Sequence, residues 1–166
     1  GRRRQRQMCI RDRSIMGHKT LVVDLDPQGN ATTGLGKSNI KEENNIYNLL
    51  IGNIKLNEAI INTDIKNLDL ISSTVNLSGL EVETATNEDR AFTLKKIFDS
   101  NSNILNKYDY IFIDCPPSLS LLTVIALVGS NELVVPLQTE FFALEGITQL
   151  INTIDRIKAV SYTHLT

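Results

Sequence analysis

Two short apolar runs in this 166-residue chain end on aspartate. The first is Leu21-Val22-Val23-Asp24-Leu25-Asp26-Pro27-Gln28-Gly29-Asn30, and the second is Tyr110-Ile111-Phe112-Ile113-Asp114-Cys115-Pro116-Pro117. A carboxylate at the exit of a buried strand is costly to desolvate unless it faces a cation or hydrogen-bond donors. In open parallel sheets, ligands sit just outside the carboxyl ends of the strands. Asp24, Asp26 and Asp114 are therefore expected to converge on one site, and metal–phosphate chemistry is the natural use for them. An aspartate after a strand is also a common turn or cap residue, and for Asp24 the sequence leaves both roles open.

The elements that must position these groups follow from the apolar pattern. Near-continuous β-branched runs read as strands buried on both faces, the habit of parallel sheets. Strands are expected at Thr20–Asp24, Leu68–Ser72, Tyr110–Asp114 and Leu133–Leu137. Helices are expected over Ile46–Ile51, Leu56–Ile61, Asn76–Thr84, Arg90–Phe98 and Leu119–Val128, the last capped by Ser118. A final helix after Thr139 places Leu144, Ile147, Leu150, Ile151, Ile154 and Ile157 on one face. Leu25–Ser38, rich in Gly, Asn and Thr, reads as a loop, and Asn101–Lys107 as a surface connection. Pro27 and Gly29 force a sharp exit from the first strand, so Asp24 and Asp26 can point differently. Strands alternating with helices predict an α/β fold, a mostly parallel sheet with helices on both faces.

Bulk properties narrow the classes. A formal charge of −2 gives no global sign of nucleic-acid or membrane binding. Cys9 and Cys115 provide no disulfide framework, which fits a cytosolic protein. The longest uncharged apolar stretch, Leu119 to Gly129, is too short to span a bilayer. Six of the eight arginines fall in the first 13 residues. Arg2 to Arg13 and the terminal Val160–Thr166 resemble translated sequencing adapters, so residues 1–13 and 159–166 are expected to be non-native and 14–158 to form the domain. A basic arm that anchors nucleic acid or lipid is the other reading of the arginines.

The stretch from Asp24 to Asn30, with Tyr108–Thr123 and Pro136–Leu150, closely resembles the ParA/Soj family of partitioning ATPases, in the deviant Walker A group of P-loop NTPases. The resemblance runs from about Lys19 to Lys158 and is weakest over residues 38–106. It implies a three-layer P-loop NTPase-like fold, with ATP and Mg²⁺ as cofactors. Asp26 matches the aspartate that orients the attacking water. Asp114 matches the carboxylate that holds Mg²⁺ through water, with Asp24 near the ion and its waters. Gly29–Thr33, including Asn30, would form a first switch, and Cys115–Ser118, including Pro116, a second. Implied partners are a second copy in a nucleotide-dependent homodimer, a ParB-like stimulating protein and non-specific DNA. The implied location is the cytoplasm, at the nucleoid. A MinD-like membrane-cycling ATPase is the nearest rival, but the amphipathic C-terminal helix it needs is not visible here.

Three departures qualify the resemblance. The family has a Lys-Gly-Gly-x-Gly-Lys-Thr loop before the helix that would end at Gly17, yet there is no glycine between Arg2 and Met16. The family also continues beyond the helix ending near Lys158, with the basic surface implied for DNA binding, so the chain is expected to be an incomplete domain lacking the loop and the C-terminal part, and a degenerate, nucleotide-free binding module is the competing class. Ala31-Thr32-Thr33-Gly34-Leu35-Gly36-Lys37-Ser38 fits a relaxed phosphate-loop pattern, but it lies where the family has its switch and opens into a polar stretch. Ile125 stands where the family often has asparagine. Gln138 and Glu140 could serve the site or simply begin a helix; Phe141 and Phe142 are expected in the core.

Overall fold

The computed structural model describes residues 16–35, 43–118 and 120–134. Both terminal segments, the 36–38 end of the phosphate-loop-like stretch, Gln138, Glu140, Phe141, Phe142 and the final helix lie outside these residues.

The strands β1 (Thr20–Asp24), β2 (Ile60–Asn62), β3 (Leu68–Ile71) and β4 (Tyr110–Asp114) form one sheet in the order β2-β3-β1-β4 among the described residues. Strand β1 is parallel to both β3 and β4, and β2 is antiparallel to β3. The mostly parallel sheet read from the sequence is therefore observed, and β1 and β4 occupy the expected residues. Every residue of β1 is buried, as its uninterrupted apolar run requires. Strand β4 is only half-buried along its length, because β1 is its sole partner among the described residues.

Alternation along β1 divides the interior. Leu21, Val23 and Leu25 face the larger core, with Ile46, Leu49, Leu56, Leu77, Leu80, Leu94, Leu122 and Ile125. Val22 faces the other side, with Ala31, Leu68 and Leu70. Full burial of Leu21, Val22 and Val23 stabilises by roughly 1.5–3 kcal/mol each, which makes β1 the axis of the fold.

The helices are α1 (Asn30–Gly34), α2 (Ile46–Leu50), α3 (Leu56–Ala59), α4 (Leu80–Glu83), α5 (Thr93–Ser100), α6 (Ser102–Leu105) and α7 (Leu121–Val128). Residues of α2 through α7 line the larger core, and α1 covers the opposite face with Ala31 and Leu35. Asn45 caps α2 by accepting from the Asn48 amide at 2.9 Å.

Several local expectations are corrected. The expected loop after β1 contains α1, because Gly29 takes a left-handed turn (φ 60°) that lets the chain re-enter a helical path. Ile60 and Ile61 leave helix α3 for β2, a switch suited to β-branched residues beside β3. Val75–Gly79 and Arg90–Phe92 are 3-10 turns preceding α4 and α5. The expected surface connection holds α6, with Leu105 buried. Helix α7 begins after Ser120 rather than Ser118; the Thr123 hydroxyl instead donates to the Ser118 carbonyl. Leu133 and Val134 are exposed and lie outside any strand, and the remainder of that expected strand falls beyond residue 134.

Candidate functional site

Strands β1 and β4 run side by side with Asp24 directly opposite Asp114. Neighbouring strands lie about 4.8 Å apart, so the two carboxylates leave the sheet as close neighbours. Val22 and Phe112 share the α1 face, and alternation places Asp24 and Asp114 on that same face. The ladder continues one step further, with the Leu25 amide donating to the Asp114 carbonyl at 2.7 Å. Beyond Leu25 the segment after β1 is tied to the exit of β3 through Ser73, and in open parallel sheets ligands sit outside the carboxyl ends of such strands.

Asp24 is fully buried and accepts three hydrogen bonds. The Thr32 amide and hydroxyl both donate to its Oδ2 at 2.7 Å, and the Asp26 amide donates to Oδ1 at 3.2 Å. Burial raises its pKa above the ordinary carboxylate value, and the charge of nearby Asp114 adds to the rise. The three donors act the other way, but burial wins. Asp24 thus ties the start of α1 back to the end of β1.

Asp26 is half-buried and held differently. Its Oδ1 accepts from the Gln28 amide at 3.0 Å, which closes a tight turn over Pro27. Its carbonyl accepts from the Gly29 amide at 2.8 Å and from the Ser73 hydroxyl. Gly29, the first residue of this turn with positive φ, also accepts the Thr33 amide and hydroxyl through its carbonyl. Asn30 opens α1. On the second loop, the Thr123 hydroxyl shares its proton between the Ser118 carbonyl and, at a longer 3.3 Å, the Pro116 carbonyl, which ties α7 to Cys115–Ser118. Asp114 is half-buried, more open than Asp24.

The sequence-predicted groups fall on one end of the sheet: Asp24, Asp26, Gly29 and Asn30 after β1, Asp114 and Pro116 at β4. Two hard carboxylates in register are suitable neighbours for hydrated Mg²⁺, which takes few protein ligands and keeps its waters. The phosphate-loop-like stretch fits a cradle poorly, since Ala31–Gly34 lie in helix α1 where a cradle needs open backbone amides. Ile125 is buried in the larger core, an apolar role. Sequence reading missed Ser73 altogether and saw Thr32 only within a range. The available signal was Ser72-Ser73-Thr74, a run of hydroxyls directly after an apolar strand.

Comparison with known proteins agrees with this fold. The AAA domain family AAA_31 matches residues 11–166. The chain is 43% identical over 141 residues to the sporulation initiation inhibitor protein Soj of Bacillus subtilis, covering 85% of this chain and 54% of Soj. It is 42% identical over 146 residues to the chromosome-partitioning ATPase Soj of Treponema pallidum, covering 88% and 55%. The crystal structure of a plasmid partition protein from Borrelia burgdorferi superposes with a TM-score of 0.79 at 30% identity, covering 90% of this chain and 65% of that one. The chain spans about half the length of the curated relatives it matches. With its mostly parallel sheet and paired strand-end aspartates, the chain belongs to the AAA domain family, with chromosome-partitioning proteins named Soj and ParA among its relatives.

Proposed function

We propose that this chain is part of a Mg²⁺-dependent ATPase that segregates or positions chromosomal or plasmid DNA. The protein would dimerise around ATP, bind DNA non-specifically as the dimer, and hydrolyse ATP when a ParB-like partner stimulates it, working in the cytoplasm at the nucleoid. The observation that carries this reading is the in-register pairing of Asp24 with Asp114, with Asp26 two residues beyond. Asp26 is the group proposed to orient the attacking water. Asp114 would hold Mg²⁺ through water, and Asp24, its oxygens filled by protein donors, would contribute charge from behind. Bound Mg²⁺ would neutralise phosphate charge. Gly29–Thr33 and Cys115–Ser118, with Asn30 and Pro116 among them, are proposed as loops that sense the phosphate. Phosphoryl transfer is mostly positioning and charge neutralisation, which is the work these groups can do.

The test is the mass and DNA retention of the protein expressed from its full reading frame. Mg²⁺-ATP should double the mass and confer DNA retention, whereas ADP should not. If nucleotide changes neither, the nucleotide-free binding module suggested by the glycine-free N-terminal segment replaces this reading.

A further inference from the structure

Strand β3 contributes no acidic group to the paired aspartates, yet its exit touches the segment that follows β1 at two points. The Ser73 amide donates to the Thr32 hydroxyl oxygen at 3.0 Å. That hydroxyl donates in turn to Asp24 Oδ2 at 2.7 Å, and the Thr32 amide reaches the same oxygen. The Ser73 hydroxyl donates to the Asp26 carbonyl, the same oxygen that receives the Gly29 amide. One residue therefore grips the loop after β1 at two points six residues apart, through its backbone and its side chain.

The donation order is fixed. An amide can only donate, so the Thr32 oxygen must accept from Ser73 and spend its single proton on Asp24. Thr32 is itself buried, with 8% of its surface exposed, so losing either partner leaves a buried polar group unpaired. The neighbouring Ser72 is committed elsewhere: its hydroxyl donates to the Asn44 carbonyl at 3.0 Å, and its carbonyl accepts the Ile46 amide at 2.9 Å. Ser73 is thus held in place by a separate anchor on α2.

We propose that Ser73 and Thr32 are positioning residues that form a clamp from β3, fixing the backbone of Asp26 and hence the direction of its carboxylate relative to Asp114. The clamp itself stands on the geometry above; its catalytic consequence rests on the ATPase reading. Displacing a reacting group by about 1 Å costs up to a hundredfold in rate. A loosened Asp26 carbonyl should therefore lower turnover without weakening nucleotide binding in proportion.

Two measurements on the full chain separate the clamp from the reading beneath it. The first is amide hydrogen exchange by NMR without nucleotide, in the wild type and in Thr32→Val, Thr32→Ser, Ser73→Ala and Ser73→Thr. Thr32→Val should speed Ser73 amide exchange by about tenfold, and Ser73→Ala should do the same at Gly29. The hydroxyl-retaining Thr32→Ser and Ser73→Thr should stay within about twofold of wild type, which also guards against general unfolding. Unchanged exchange in both Thr32→Val and Ser73→Ala overturns the clamp. The second is steady-state ATP turnover. Ser73→Ala should lower kcat by about tenfold with KM within about twofold, and Ser73→Thr should restore it. Unchanged kcat in Ser73→Ala overturns the positioning role. Absence of wild-type turnover counts against the ATPase reading, and exchange still decides the clamp.

Discussion

Asp24 offers the sharpest energetic test, because its three hydrogen bonds make different demands on a substitute. In Asp24→Asn, the amide oxygen can take the place of Oδ2 and keep both Thr32 donors. The new NH₂ then faces the Asp26 amide, donor against donor, where the 3.2 Å bond had been. One buried donor left unpaired costs about 1–3 kcal/mol, partly offset by removing a desolvated charge beside Asp114. A net loss of about 1 kcal/mol is expected. Asp24→Ala strands all three donors and should cost about 3 kcal/mol or more. At this chain length, each kcal/mol lowers Tm by about 2–4 °C. Urea melts across pH add a second arm. The pKa of Asp24 is raised by burial, so its contribution to stability is fully present below the ordinary carboxylate range and is lost as pH rises through the folded value. The substituted chains lack that loss, so the gap between wild type and Asp24→Asn should widen on acidification. Equal costs for asparagine and alanine, or a gap that narrows on acidification, would refute the three-donor anchor.

Other substitutions test the same structure elsewhere. The buried Tyr108 hydroxyl donates to Asp69 at 2.7 Å, and burial, then that bond, push its pKa far above the ordinary tyrosine value. Wild-type stability should hold below pH about 10 and decline above it, whereas Tyr108→Phe should lose about 1 kcal/mol at neutral pH and show a shallower alkaline decline; identical alkaline slopes would count against this. Gly29→Ala should cost about 1–2 kcal/mol in thermal melts through its positive φ alone, since the nearest atom to an added Cβ, Ser73 Cβ, is at an ordinary 3.9 Å. A cost near zero would mean that the turn has another conformation. The Ser120 hydroxyl is buried without a hydrogen-bond partner among the described residues, so Ser120→Ala should be neutral or slightly stabilising by urea melt. A loss above about 1 kcal/mol would reveal a partner.

The sequence makes the centre of this fold readable and its periphery less so. Strand β1 is legible because a run buried on both faces admits few alternatives, and Asp24 and Asp114 are legible because charge at the end of such a run demands a reason. Their direct opposition is not legible, since register between strands 90 residues apart depends on tertiary packing. Ile60 and Ile61 illustrate another limit: a short apolar run suits helix or strand, and β3 alongside decides the outcome. Helix α1 was hidden because Gly, Asn and Thr signal a loop, whereas Asp24 holds Thr32 in helical position from eight residues away. The role of Ser73 was hidden for a related reason, although the hydroxyl run it belongs to is plain in the sequence. A serine after a strand is ordinary, and only the folded chain brings it against Thr32 and Asp26.

The aspartates at the carboxyl ends of β1 and β4 are proposed to serve Mg²⁺-ATP hydrolysis. Asp26 tests this role most directly, because its side chain bonds only the nearby Gln28 amide among the described contacts and its loss should spare the fold. The measurement is Mg²⁺-dependent ATP turnover by the protein from its full reading frame, wild type against Asp26→Ala, with nucleotide binding followed by a fluorescent ATP analogue. Asp26→Ala should lose at least about a hundredfold in kcat with binding retained. Turnover by Asp26→Ala equal to wild type, or a wild type that binds no nucleotide, would contradict that role.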